Sequence, residues 1–130
     1  MLFKVLAVFI GGGAGSLLRW VLAVKYNPAI GGTPAFPVGT LVANLIGGFL
    51  IGLLMAVFMF KTDWSEEWRL LIVTGLLGGL TTFSAFSWEI IHLLSQGRLS
   101  LGVWALFTQV GGSLSLTAIG LALGCLFFKV

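Results

Sequence analysis

Charge is what this chain of 130 residues has least of: seven Lys or Arg and four Asp or Glu, 8% of the sequence. A soluble domain carries about 25%, so the shortage excludes an ordinary water-soluble fold. It also excludes a nucleic-acid surface, because the net charge of +3 comes from a few cations at the ends of apolar segments and not from a basic patch. Cysteine and histidine occur once each. A disulfide within the chain is therefore impossible, and a zinc site has too few ligands. Prolines number three, Pro28, Pro34 and Pro37, and all fall in one connection. No Lys, Arg, Asp or Glu lies at the middle of an apolar segment, which excludes proton relays and charged-ring filters.

What is present is apolar: 58% of the residues are hydrophobic. Four segments approach the ~20 residues needed to cross a bilayer. They run from about Leu2 to Val24, Val38 to Phe60, Trp68 to Leu94 and Leu99 to Phe128. The expectation is an all-α membrane protein with one four-helix transmembrane domain over residues 1–130. Lys25–Pro37 reads as a true loop because of its prolines and Gly31-Gly32. Asp63 and Ser65 offer N-caps for the third helix, and Glu66 and Glu67 suit its first turn. Gly97 ends that helix. Short connections predict that successive helices are antiparallel neighbours. The first segment is not read as a cleaved leader, since its apolar run resumes through Leu17–Val24 and no A-x-A site appears.

Cations are nearly balanced across the membrane. Four spans put both ends on one side, with Lys4, Lys61, Arg69 and Lys129, against Lys25, Arg98 and Arg19 on the other. Four against three is too weak a bias to set one orientation. Small residues recur four apart at Gly11/Gly15, Gly48/Gly52, Gly75/Gly79 and Gly120/Gly124, a spacing that lets helix backbones approach closely. Four close-packed helices leave no central pore, so any path for a solute runs along a groove or between subunits.

The stretch Gly75–Ser87 stands out. Three glycines and two adjacent threonines weaken a helix at mid-membrane. Backbone groups released there must face protein, water or an ion. Polar side chains elsewhere share faces: Thr40 with Asn44, and Gln109, Ser113 and Thr117 at every fourth residue. Phe83 and Phe86 share another, with Ser84 and Ser87 flanking. Hydroxyls and amides without fixed charge suit a small, strongly hydrated anion, and phenyl edges add weak positive potential. Interhelical hydrogen bonding and ordinary aromatic packing are the plainer readings of the same residues.

Four motifs make the chain resemble one family. They are Gly11-Gly12-Gly13-x-Gly15-x-x-x-Arg19, Gly39-Thr40-Leu41-x-x-Asn44-x-x-Gly47, Gly78-Gly79-Leu80-Thr81-Thr82-Phe83-Ser84-x-Phe86-Ser87 and Gly112-Ser113-x-x-x-Thr117. Along its whole length the sequence resembles the Fluc (CrcB) family of bacterial fluoride channels. The resemblance implies an antiparallel, dual-topology homodimer in the cytoplasmic membrane with two fluoride pathways at the subunit interface. It implies a structural Na⁺ at the dimer centre, held by main-chain oxygens of Gly78 and Thr81. It implies that Asn44, Phe83 and Phe86 line the path and that Ser113 and Thr117 form a polar track, with Thr40, Ser84 and Gln109 as weaker members. Arg19 is expected to be structural, and Glu89 and His92, three apart, to pair or cap. The implied activity is passive fluoride export and not enzymatic catalysis. A small dual-topology multidrug-type exporter is the alternative. It would need an embedded carboxylate, and the first helix has none.

Overall fold

The computed structural model describes residues 1–27, 35–61 and 63–129. Four helices long and apolar enough to cross a membrane make up most of it: Leu2–Tyr26, Val38–Phe60, Glu66–Ser95 and Leu99–Phe128. The second and fourth match the sequence boundaries at both ends. Polar groups and turn residues mark those ends, where a long apolar run alone would leave them undefined. Pro28, Gly31, Gly32 and Pro34, the core of the expected first loop, lie outside the described residues. Pro37 precedes the first residue of the second helix, where its missing N–H removes no helical hydrogen bond. The Ser65 hydroxyl accepts from the Trp68 N–H at 3.4 Å and starts the third helix. Gly97, at φ 75°, closes it, with its N–H donating to Leu94 and the Arg98 N–H to Leu93.

Packing follows the glycine pairs, and they join alternate helices. The first helix lies along the third so closely that a Cβ on Gly75 would stand 2.9 Å from the Gly11 Cα. Gly15 faces Leu76 and Leu80, and Gly79 faces Gly12 and Ser16. The second helix meets the fourth in the same way, Gly48 and Gly52 against Ser113 and Thr117, and Gly120 against Phe49 and Leu53. In both pairs the residue numbers rise together, so each pair is parallel. Successive helices do touch, as where Gly39 meets Leu22. Successive helices are thus neighbours as expected, but the nearest approach is within two parallel pairs, because the glycine faces that permit near contact are on alternate helices.

The third helix is not one α-helix. After Glu66–Arg69 it widens into a π-helical stretch, Leu70–Leu77, then tightens through Gly78–Leu80. It breaks at Thr81, where ψ reaches 154°, and restarts as Ser84–Ser95. The glycines expected to weaken it remain helical, and the break falls after them, at the threonines. Gly75 and Gly79 are held by direct backbone contact with the first helix, whereas Thr81 keeps its N–H on Leu77 O and Thr82 finds a side-chain partner that replaces the helical ladder. Two buried clusters lie on either side of the break. Ala43, Leu77 and Leu80 form one, and Phe86, Ile90, Leu93 and Ala105 the other.

Candidate functional site

The break is clamped by one side chain. Thr82 N–H donates to Asn44 Oδ1 at 2.8 Å, and Asn44 Nδ2 donates back to Thr82 O at 3.1 Å. A single amide thus holds both polar groups of one residue that the helix has released. Asn44 Nδ2 also donates to Gln109 Oε1 at 2.9 Å, tying the second and fourth helices to the break. Around the break the remaining groups are redistributed. Thr81 Oγ1 donates to Leu77 O at 2.9 Å, the Ala85 N–H donates to Thr82 Oγ1 at 3.1 Å, and Ser87 Oγ donates to Phe83 O at 2.8 Å. Arg19 Nε, from the first helix, donates to Gly79 O at 3.0 Å. A guanidinium there meets the negative end of the half-helix that stops at Leu80.

The carbonyls of Gly78 and Thr81 are among those the break leaves outside the ladder. In an α-helix Gly78 O would accept from the Thr82 N–H, which is bound to Asn44 instead. Thr81 O would accept from the Ala85 N–H, which is bound to the Thr82 hydroxyl. Oxygen donors without a negative side chain nearby fit a hard monovalent cation better than a transition metal. Among the described residues no group of three His, Cys, Asp or Glu side chains could hold a metal ion.

A groove of about 620 Å³ runs beside the clamp, between the second, third and fourth helices. Asn44, Gln109, Ser113, Gly78, Thr81, Thr82, Phe83 and Phe86 line it, with Val110 and Leu114 along the fourth helix. Phe86 is buried. Phe83 is 78% exposed, and its ring stands edge-to-face with Phe86 at a centroid distance of 5.1 Å and 73° between planes. The groove therefore has one wall that is open in a single chain. Its rim there is apolar, with Leu114 and Val110 also exposed.

The candidate residues do not all gather in it. Thr117 lies on the seam between the second and fourth helices, and its hydroxyl donates to Ser113 O at 2.8 Å. Ser84 is exposed, with its hydroxyl 3.4 Å from that of Thr82. Thr40 is buried one turn from Asn44 and belongs to a separate polar cluster. Its hydroxyl donates to Glu89 Oε1 at 2.5 Å, and Asn27 Nδ2 donates to Thr40 Oγ1 at 3.0 Å and to Glu89 Oε1 at 3.3 Å. Asn27 Oδ1 in turn accepts from the Gly39 N–H at 2.6 Å. Glu89 and His92 do not pair with each other: Glu89 turns inward to Thr40, and His92 stacks on Trp88 at 5.3 Å. Sequence reasoning missed the roles of Thr82, Asn27 and Glu89. The three-residue spacing Phe83–Phe86–Glu89 was the available sign that the acid shares the aromatic face. Nothing in the sequence singled out Thr82 from Thr81.

Four apolar helices, one of them broken at a polar clamp beside a groove, define a multi-pass membrane protein. Comparison with known proteins agrees. The CrcB-like protein family, Camphor Resistance (CrcB), matches residues 6–121, and the chain belongs to that family. It is 50% identical over 118 residues to the fluoride-specific ion channel FluC of Pseudomonas paraeruginosa (strain DSM 24068 / PA7), covering 91% of each chain. It is 47% identical over 123 residues to the fluoride-specific ion channel FluC of Serratia proteamaculans (strain 568), covering 95% of this chain and 94% of that one. Against the fluoride-specific ion channel FluC of Escherichia coli O17:K52:H18 (strain UMN026 / ExPEC) the identity is 49% over 119 residues, 92% of this chain and 91% of the other.

Proposed function

We propose that this protein is a fluoride channel that lets F⁻ leave the cell passively across the cytoplasmic membrane. Near-full-length identity of about half to proteins named for that activity supports the reading. The observation in the molecule that carries it is the groove: hydroxyls, amides and phenyl edges, and no charged side chain among its lining residues. Donors without a fixed cation attract an anion without trapping it, which conduction requires. Hydrogen fluoride crosses the bilayer unaided and ionises inside. The anion, unable to return that way, leaves along the groove. The multidrug-exporter alternative has no support in the groove, which offers no carboxylate to exchange protons.

Two copies in opposite orientation form the conducting unit. The open wall beside Phe83 supports this, because an ion path exposed to lipid along one side would not hold an anion. In the dimer each groove is closed by the second copy, giving two pathways. The main-chain oxygens of Gly78 and Thr81 would hold a Na⁺ ion, and its positive charge would draw two broken helices together. Arg19 braces the same half-helix from outside.

Growth tests the function. Expression in a bacterium deleted for its own fluoride exporter is expected to restore growth on fluoride medium. Asn44→Asp, expressed at the same level, is expected not to. No rescue by well-expressed wild-type protein in the membrane would contradict the reading.

A further inference from the structure

A second groove, of about 470 Å³, lies between the start of the first helix and the start of the third. Phe3, Ala7 and Ile10 recur at helical spacing and form one side of it, and Trp68 and Leu71 form the other. Ala7 is the smallest of them and makes the floor, while Phe3, Ile10 and Trp68 are exposed and stand around it. From Phe3 to Ile10 is about 10 Å along the helix axis. That is about two-thirds of the way from the headgroups to the middle of a hydrocarbon core ~30 Å thick. Glu67 is the charged residue in the lining, in the first turn of the third helix at the water end of the groove. Among the described residues Lys4 pairs with Glu66, and no basic side chain pairs with Glu67. The Glu67 carboxylate accepts from its own backbone N–H and from the Ser65 hydroxyl. Two carboxylate oxygens offer about four acceptor sites, so capacity remains. Lys4 has three donors and uses one on Glu66. The mouth of an apolar groove thus carries an unpaired negative charge beside a positive one that still has hydrogens to give.

We propose that this groove is a lipid site that holds one acyl chain of a phosphatidylethanolamine, with the lipid ammonium on Glu67 and its phosphate toward Lys4. The inference rests on the membrane-spanning fold and is independent of the fluoride-channel reading. A choline headgroup has the same net charge, but its nitrogen bears only methyl groups and donates no hydrogen bond. A glycerol headgroup brings the negative phosphate to Glu67 with no ammonium between them, and like charges repel. The ethanolamine lipid alone of the three matches both charges at the mouth. Trp68 suits the same boundary, with an apolar ring for the chain and an N–H for the headgroup region. One lipid seated there touches both the first helix and the start of the third.

Native mass spectrometry of the purified full-length protein tests this, with phosphatidylethanolamine, phosphatidylcholine and phosphatidylglycerol of identical acyl chains. The ethanolamine lipid is expected to be retained about two- to fivefold more than the choline lipid, the scale of an interfacial ion pair, and the glycerol lipid least. Glu67→Gln keeps the shape and removes the charge. It is expected to abolish the preference for ethanolamine over choline while lipid adducts persist. Loss of a helix-capping role alone would alter unfolding and leave the ratio between lipids as it was. Ala7→Leu fills the floor and is expected to lower retention of the ethanolamine lipid at least twofold; where that variant does not fold, Glu67→Gln decides alone. Equal retention of the ethanolamine and choline lipids by wild-type protein, a preference for the glycerol lipid, or a preference that survives Glu67→Gln would overturn the proposal. So would unchanged retention in folded Ala7→Leu.

Discussion

Asn44 and Phe83 show how differently two residues of one groove act. Asn44 holds a residue of the broken helix at both its polar atoms. Asn44→Asp keeps the acceptor for Thr82 N–H but turns its other oxygen toward Thr82 O and Gln109 Oε1, which are both acceptors. The new charge also repels an approaching anion, on the order of 4 kcal/mol at 4 Å and an effective dielectric of 20. Near-complete loss of fluoride efflux is expected from a protein that still dimerises; wild-type efflux from this variant would remove Asn44 from the site. Phe83 and Phe86 separate by burial. Phe83 is exposed in the single chain, whereas Phe86 packs in a cluster with Ile90, Leu93 and Ala105. Phe83→Ile is expected to leave folding unchanged and to slow efflux several-fold, because it removes a ring edge whose contact contributes about 1 kcal/mol. Phe86→Ile is expected to slow efflux as well, and to cost under about 1.5 kcal/mol of stability in its cluster. Unchanged initial rates in both variants would make the pair packing residues only.

At the scale of the helix, the close contact of Gly75 with Gly11 carries the sharpest expectation. Gly75→Ala puts a methyl 2.9 Å from the Gly11 Cα and 3.0 Å from Gly12 N, where only backbone can give way. Separation of the first and third helices is expected to cost about 1–3 kcal/mol. Gly13→Ala, whose Cβ meets nothing within 4 Å, is the control and is expected to be neutral. Unfolding midpoints of the two variants check this, and equal midpoints would contradict the packing. The same glycines show what a sequence can and cannot convey. Helix ends were legible because caps and turn residues stand there: Ser65, Gly97 and Pro37. Spacing of four identified the faces that pack. Which face met which was not legible, because Gly11, Gly48, Gly75 and Gly120 are equivalent as sequence, and their pairing is set in three dimensions. The break was legible to within a few residues. Its position depended on Asn44 and the first helix, whose contacts lie 38 and more residues away. Thr40 shows the same limit. Its spacing put it with Asn44, while Glu89 and Asn27 engage it in a cluster of their own.

For the whole molecule, the near balance of seven cations across four spans is the governing feature. A few lysines added to one connection are expected to orient all copies the same way and to abolish efflux, since an antiparallel partner would be missing. Co-expression of a copy biased the other way is expected to restore it, and full activity from one fixed orientation would contradict the antiparallel assembly. In the proposed dimer, a second copy would close the groove and turn an open-sided cleft into a path. Lipid would otherwise face Phe83, Val110 and Leu114 beside buried amide and hydroxyl groups. The most direct measurement of the central claim is efflux from liposomes holding the purified protein, followed with a fluoride electrode and, in parallel, a chloride electrode. The account predicts rapid fluoride release that stops with Asn44→Asp, with chloride retained. Retention of fluoride by liposomes that contain folded wild-type dimer would contradict it.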